Sequence, residues 1–208
     1  MIQILERMYL HIRQMGVLFF IPFLGYFILI PLTVCAMGLN PIKQESVMDR
    51  MTSVCYSLVP ILSTWWIYLI HKEFIEGEGR EILILGKGIS VLTGLFFALN
   101  IFCFLPVFIV EKMSGSYGTA SNLFFQMIVV SFMTCGMAFF LSFSLQSIPI
   151  SALIVMSFCI LSIVPNEKFQ EYQFSVLQGD SLWHENAIPF IIAGGIFTIL
   201  GILRARKF

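Results

Sequence analysis

Four carboxylates crowd one short stretch of an otherwise greasy chain: Glu73, Glu76, Glu78 and Glu81. Phe74, Ile75, Ile82, Leu83 and Leu85 are interleaved with them, Gly77 and Gly79 interrupt the run, and Arg80 adds a cation between Lys72 and Lys87. The stretch from His71 to Lys87 is too charged to cross a bilayer and too apolar to be a solvated linker. Each glycine costs a helix roughly 1 kcal/mol against alanine. The spacing therefore predicts a helix continuing to the glycines, a break there, and a short second helix from about Arg80 to Leu85. Acidic and apolar groups mixed in this way suit docking against another subunit, with Glu73, Glu76, Glu78, Arg80, Glu81 and Leu83 as the coupling residues. The plainer alternative is a surface loop whose apolar side chains dip into lipid headgroups.

The other candidate groups are milder. Asn100 and Gln126 lie in charge-free runs, together with Thr33, Thr64, Thr93 and Thr134. Such groups either hydrogen-bond one helix to the next, for about 0.6–2 kcal/mol each, or line a substrate path. Five cysteines (Cys35, Cys55, Cys103, Cys135, Cys159) sit in apolar runs with no CxxC pair, which reads as small apolar filler. His184 stands alone in the 166–186 segment, a pattern of a surface residue. There is no HExxH, no GxSxG, and no GxxxxGK[ST] to cradle a nucleotide phosphate, so no catalytic, cofactor or metal residues are assigned.

These candidates need elements to carry them, and composition restricts what those are. The chain has 208 residues, 58% of them hydrophobic and only 12% charged, against roughly 25% charged in soluble domains. Mean hydropathy is +0.91. A water-soluble fold needs polar surface that this chain lacks, which excludes an ordinary cytosolic enzyme and a disordered tail. Twelve basic residues balance twelve acidic ones, so no cationic excess exists to neutralise nucleic-acid phosphates.

Charges are missing from Gln14 to Ile42, Met51 to His71, Gly88 to Val110, Met113 to Asn166 and Asn186 to Leu203. A bilayer core takes about 20 apolar helical residues. The long fourth run holds Ser142, Ser144, Gln146, Ser147 and Pro149 near its middle, a cluster that predicts a tight turn between two spans. The expected fold is all-α and integral to the membrane, a single domain over 1–208. Its six transmembrane helices fall near 17–38, 52–71, 88–110, 122–143, 148–165 and 186–204. Runs such as Val17-Leu-Phe-Phe-Ile21 do not alternate as barrel strands do.

Six spans put both termini on one side. Arg7, Arg13, Lys72, Arg80, Lys87, Arg204, Arg206 and Lys207 then face Lys43, Arg50, Lys112 and Lys168. The excess of basic residues places the termini and the 72–87 segment in the cytoplasm. Residues 1–16 form an amphipathic elbow helix in the interface plane. Ile4, Leu5, Met8, Tyr9, Ile12 and Met15 share one face, while Gln3, Glu6, Arg7, Arg13 and Gln14 share the other. The first apolar run is too long for a cleaved leader. Apart from Arg204 at the very end of the sixth, no Asp, Glu, Lys or Arg falls within a span, although proton- and ion-coupled carriers usually hold such groups at membrane depth. A transporter of this composition must draw its driving force from elsewhere.

At this point the layout resembles the permease subunits of ATP-binding-cassette transporters of the type 2 exporter family. The likeness covers nearly the whole chain: elbow helix, six spans, an acidic segment after the second span, and an external segment before the last. Its local motif is Glu73-Phe-Ile-Glu76-Gly77-Glu78-Gly79-Arg80-Glu81-Ile-Leu83, then Gly86-Lys87 opening the third span. Glu81 and Leu83 match the family's Glu-x-Leu coupling helix. Gly79-Arg80 stands where the family has Gly-Thr, and the proline that commonly follows the leucines is absent. The resemblance implies two permease copies, or one copy and a sister permease, on a dimer of separate ATP-binding subunits. ATP and Mg would be held by those subunits and by none of this chain, which is then not itself an enzyme. Cargo would be amphipathic: a peptide, drug or lipid. A non-transporting accessory or immunity subunit that binds a partner protein is the alternative, and a membrane enzyme built on Asn100 is a weaker third.

Overall fold

The computed structural model of the chain describes residues 12–13, 15–38, 47–75, 88–106, 108–109, 117–163 and 183–205. Among them every regular element is helical. The elements are α1 (16–38), α2 (Val47–Ile75), α3 (Gly88–Cys103), α4 (Tyr117–Leu145), α5 (Ile148–Ile163) and α6 (Trp183–Ala205). Among the described residues four helices are long and apolar enough to cross a membrane: Gly16–Ala36, Met51–Lys72, Leu123–Leu145 and Ala187–Ala205. The apolar stretches of α3 and α5, Val91–Cys103 and Ile148–Ser162, are shorter. Sixteen residues, the length of α5, rise about 24 Å, less than the roughly 30 Å of a hydrocarbon core. Of the expected elbow, only Ile12, Arg13, Met15 and Gly16 fall within the described residues. Ile12 and Met15 pack inward while Arg13 is exposed.

Contacts fix the helix directions. Trp65 and Trp66 of α2 meet Leu18 and Phe19 at the start of α1, so these two helices run antiparallel. Tyr56 meets Gln126 and Ser63 meets Thr134, so α2 and α4 run parallel. Gly194 and Gly201 of α6 lie against Met133 and Phe140 of α4, another parallel pair. Directions therefore alternate along the chain from α1 to α6. The ends of α2, α4 and α6 reach one side, where α1, α3 and α5 begin.

Helix ends differ from the expected spans for a physical reason. α2 starts at Val47 and α4 at Tyr117, both inside segments expected to be loops. Absence of charge marks the apolar belt, while backbone hydrogen bonding continues through the polar residues beyond it. The predicted turn in the fourth run is present and tighter than the polar cluster: only Gln146 and Ser147 separate α4 from α5. Gln146 takes a left-handed φ of 53°, the usual way to leave a helix C-terminus. Pro149 sits in the first turn of α5, where its missing N–H costs nothing.

α1 is irregular, and its prolines explain why. It begins as a 3-10 turn (Gly16–Phe20), passes through one α turn, widens to a π segment (Gly25–Leu29) and ends as α-helix (Ile30–Gly38). Pro22 has no N–H for the Leu18 carbonyl, and Pro31 has none for Phe27. The Leu18 carbonyl accepts from the Ile21 N–H instead, and also from Trp65 Nε1 at 3.1 Å. Ahead of Pro31 the helix widens, with the Ile30 N–H reaching back to the Gly25 carbonyl. Past it, the Thr33 hydroxyl lies 2.9 and 2.8 Å from the Leu29 and Ile30 carbonyls.

α4 and α6 pair most extensively, through a seam of small residues. A Cβ placed on Gly194 would lie 2.7 Å from the Phe132 ring and 3.0 Å from the Met133 Cα. One on Gly136 would lie 2.6 Å from the Gly194 carbonyl oxygen. Small residues allow such backbone approach, and dispersion then holds apolar helices together. The outer faces stay apolar, with Leu153 and Leu161 of α5 and Ile192 and Ile199 of α6 more than half exposed. Soluble monomers rarely expose contiguous apolar patches beyond a few hundred Å².

Gly194→Ala should therefore cost about 1–3 kcal/mol by overpacking, read as a lower thermal midpoint in detergent. Gly195→Ala is the control, because a Cβ there meets nothing within 4 Å. It should be neutral or stabilising by up to about 1 kcal/mol; equal losses at both positions would contradict the packing account.

Candidate functional site

Two regions hold the candidate residues, the end of α2 and the polar interior. α2 runs through Lys72 and ends at Ile75. Lys72 is exposed, Phe74 is buried and Ile75 is half-buried. Glu73 lies in this last turn, which projects past the apolar part of the helix. Glu76, Glu78, Arg80, Glu81 and Leu83, with the short helix expected near them, lie outside the described residues. From the helix directions, exposed Arg13, Lys72 and Arg204 stand at the same end of the bundle.

The interior is polar in a neutral way. The Tyr26 hydroxyl donates to Asn100 Oδ1 at 2.8 Å, tying α1 to α3. The Tyr56 hydroxyl donates to Gln126 Oε1 at 2.7 Å, tying α2 to α4. Ser63 and Thr134 share a hydroxyl contact of 3.1 Å, and the Cys135 thiol donates to the Ser63 carbonyl. Ser151 of α5 donates to the Tyr68 hydroxyl and lies 3.4 Å from the hydroxyl of Ser142. Asn100 sits about 18 Å along α3 from its first residue, in the second half of that 16-residue helix. Both sequence candidates thus join helices, the first of the two roles open to them. Asn100 keeps its amide Nδ2 without a partner.

Sequence reasoning missed the tyrosines that meet these amides and the paired tryptophans of α2. The available signal was phenol and indole groups inside charge-free runs, where each polar tip needs a partner. It also missed His71, which the charge pattern sets at the mouth of a loop. The ring is fully buried, with centroids 5.0 Å from both Phe139 and Phe143. Neither ring nitrogen has a hydrogen-bond partner.

A cleft of about 100 Å³ opens between α3, α4 and α6, lined by Thr93, Phe97, Phe132, Gly136 and Thr198 among others. Cys55, Cys103, Cys135 and Cys159 are buried free thiols and Cys35 is exposed. Among the described residues no three His, Cys, Asp or Glu side chains group to hold a metal ion. The described residues offer hydrogen bonding between helices and a charged bundle end. No family model, curated protein or solved structure matches the chain.

Two outcomes follow from the buried polar groups. Tyr26→Phe should cost about 1–3 kcal/mol, because it strands the Asn100 carbonyl. Adding Asn100→Leu should recover most of that loss, a coupling that a double-mutant cycle in detergent would measure. His71→Phe keeps an aromatic ring against Phe139 and Phe143 while removing two unsatisfied nitrogens. It should raise stability by about 1–3 kcal/mol, and a lower melting temperature would contradict the packing described.

Proposed function

We propose that this chain is the transmembrane subunit of an ATP-driven exporter of the ATP-binding-cassette class. Two copies, or one copy and a sister permease, would form the path for an amphipathic peptide, drug or lipid. Separate cytoplasmic subunits would bind ATP and Mg and hydrolyse the nucleotide. The membrane is a bacterial inner membrane, crossed six times, with both termini in the cytoplasm and residues 72–87 as the coupling segment. The carrying observation is α2, whose 29 residues run past its apolar part and bring Glu73 to the end of the bundle shared by Arg13, Lys72 and Arg204. A basic rim of that kind supports a cytoplasmic placement. The resemblance of Glu73–Leu83 to a coupling helix supplies the partner. The interior supports an external energy source, because its interhelical bonds are neutral.

A second reading, an accessory or immunity subunit that binds a partner protein without transporting cargo, is favoured by one observation. Asn100 and Gln126 are spent on helix pairing and so are poorly placed to line a path. Co-expression with a cassette ATPase encoded beside this chain separates the two. For the exporter, Glu81→Lys combined with Leu83→Asp should abolish co-purification and stimulation of ATP hydrolysis while leaving the subunit folded. An unchanged complex with unchanged stimulation would defeat the docking claim. Cargo movement indifferent to an ATPase-dead partner would favour the accessory reading.

A further inference from the structure

We infer that α1 is a hinged element whose first half, residues 16–24, swings about the Gly25–Leu29 π segment and is held shut by two indole clasps on α2. The inference goes beyond the exporter reading and is tested without an ATPase.

The hinge is visible in the backbone. Two prolines nine positions apart leave α1 with 3-10, α, π and α geometry in succession. Sharp helix bends concentrate at proline and at π segments, which in turn are frequent at functional sites. Gly25, at the first position of the π segment, lies directly against Leu62 of α2; an added Cβ would be 2.6 Å from that side chain. At the other end of the swinging half, Gly16 takes a φ of +55°. The segment 16–24 thus has a break at each end. Beyond the π segment, Thr33 reinforces the helix locally.

The clasps are specific. Trp65 Nε1 donates to the Leu18 carbonyl at 3.1 Å, and Trp66 Nε1 donates to the Phe19 carbonyl at 2.9 Å. The first is a second bond to the carbonyl that Pro22 cannot serve and that the Ile21 N–H already reaches. Consecutive indoles thus hold consecutive carbonyls of the same half-helix. The rest of the seam is aromatic: Phe19 and Phe23 pack on Trp66, and Phe19 on Phe96, with centroids 5.4–6.4 Å apart. Ring packing tolerates sliding, whereas the indole bonds are directional, so the bonds set the closed position. At the pivot, the Tyr26–Asn100 bond anchors α1 to α3. The outer surface of the swinging half is free, with Val17, Phe20 and Leu24 more than half exposed. Among the described residues none covers that outer surface.

Hydrogen–deuterium exchange of the full chain in lipid nanodiscs tests this. In the unmodified chain, amides of 16–24 should exchange faster than those of α2 and α4. Trp65→Phe and the pair Trp65→Phe/Trp66→Phe should speed 16–24 further, on the order of tenfold for the pair, while 30–38 and α4 stay unchanged. Pro22→Ala restores the missing N–H and should slow exchange at 16–24. It guards against the paired variant failing simply because Trp66 is a core residue. Acceleration spread evenly over all helices, or no slowing by Pro22→Ala, would overturn the hinge. Loss of ATPase binding with this pattern intact would defeat only the exporter reading.

Discussion

A polar group inside a water-free bundle must find its partner on a neighbouring helix, and that requirement organises this protein. Removed from water, an unsatisfied hydroxyl or amide costs more than a made bond returns. Tyr26 and Asn100, Tyr56 and Gln126, and Ser63 and Thr134 are each drawn from two different helices. These pairs fix rotation and depth, which apolar packing alone leaves loosely specified. The glycine seam between α4 and α6 does the complementary work, allowing backbones close enough for dispersion to hold them. Within this frame, His71, the amide nitrogen of Asn100 and the hydroxyls of Thr93 and Ser131 are places among the described residues where satisfaction fails.

The same requirement explains the coupling of α1 to α2. Prolines cost a helix backbone bonds, which in hydrocarbon cannot be replaced by water. Here the Leu18 carbonyl accepts from the Ile21 N–H and also from an indole on the adjacent helix, whose neighbour Trp66 grips the next carbonyl. The irregular backbone thus exchanges internal bonds for external ones, and α1 depends on α2 for its position.

Much of the architecture was legible because charge is the costliest thing to bury. Runs free of Asp, Glu, Lys and Arg marked where the helices lie, and the polar cluster around Gln146 marked the turn between α4 and α5. The same signal misjudged where helices begin: Val47 and Tyr117 lie outside the apolar belt, where helix continues in polar sequence. It gave the helix segments but not their partners, since nothing in the chain says that residue 26 faces residue 100. Pro22 and Pro31 stood in plain view, yet their effect depends on the tryptophans of another helix. Asn100 and Gln126 stand out in the sequence as polar groups in charge-free runs, and their partners on other helices appear only in the fold. For the coupling residues, only Glu73 falls in a described helix, and the family likeness carries the rest.

The proposed account brings work in at the end of α2, through the acidic segment that follows Ile75. Photocrosslinking in intact membranes tests that placement most directly, with a light-activated amino acid at Ile82 and products identified by mass spectrometry. The account predicts a discrete adduct with a cytoplasmic ATP-binding subunit, lost when that subunit is absent. Adducts with lipid alone, or reaction of the same position with an impermeant reagent added outside the cell, would contradict it.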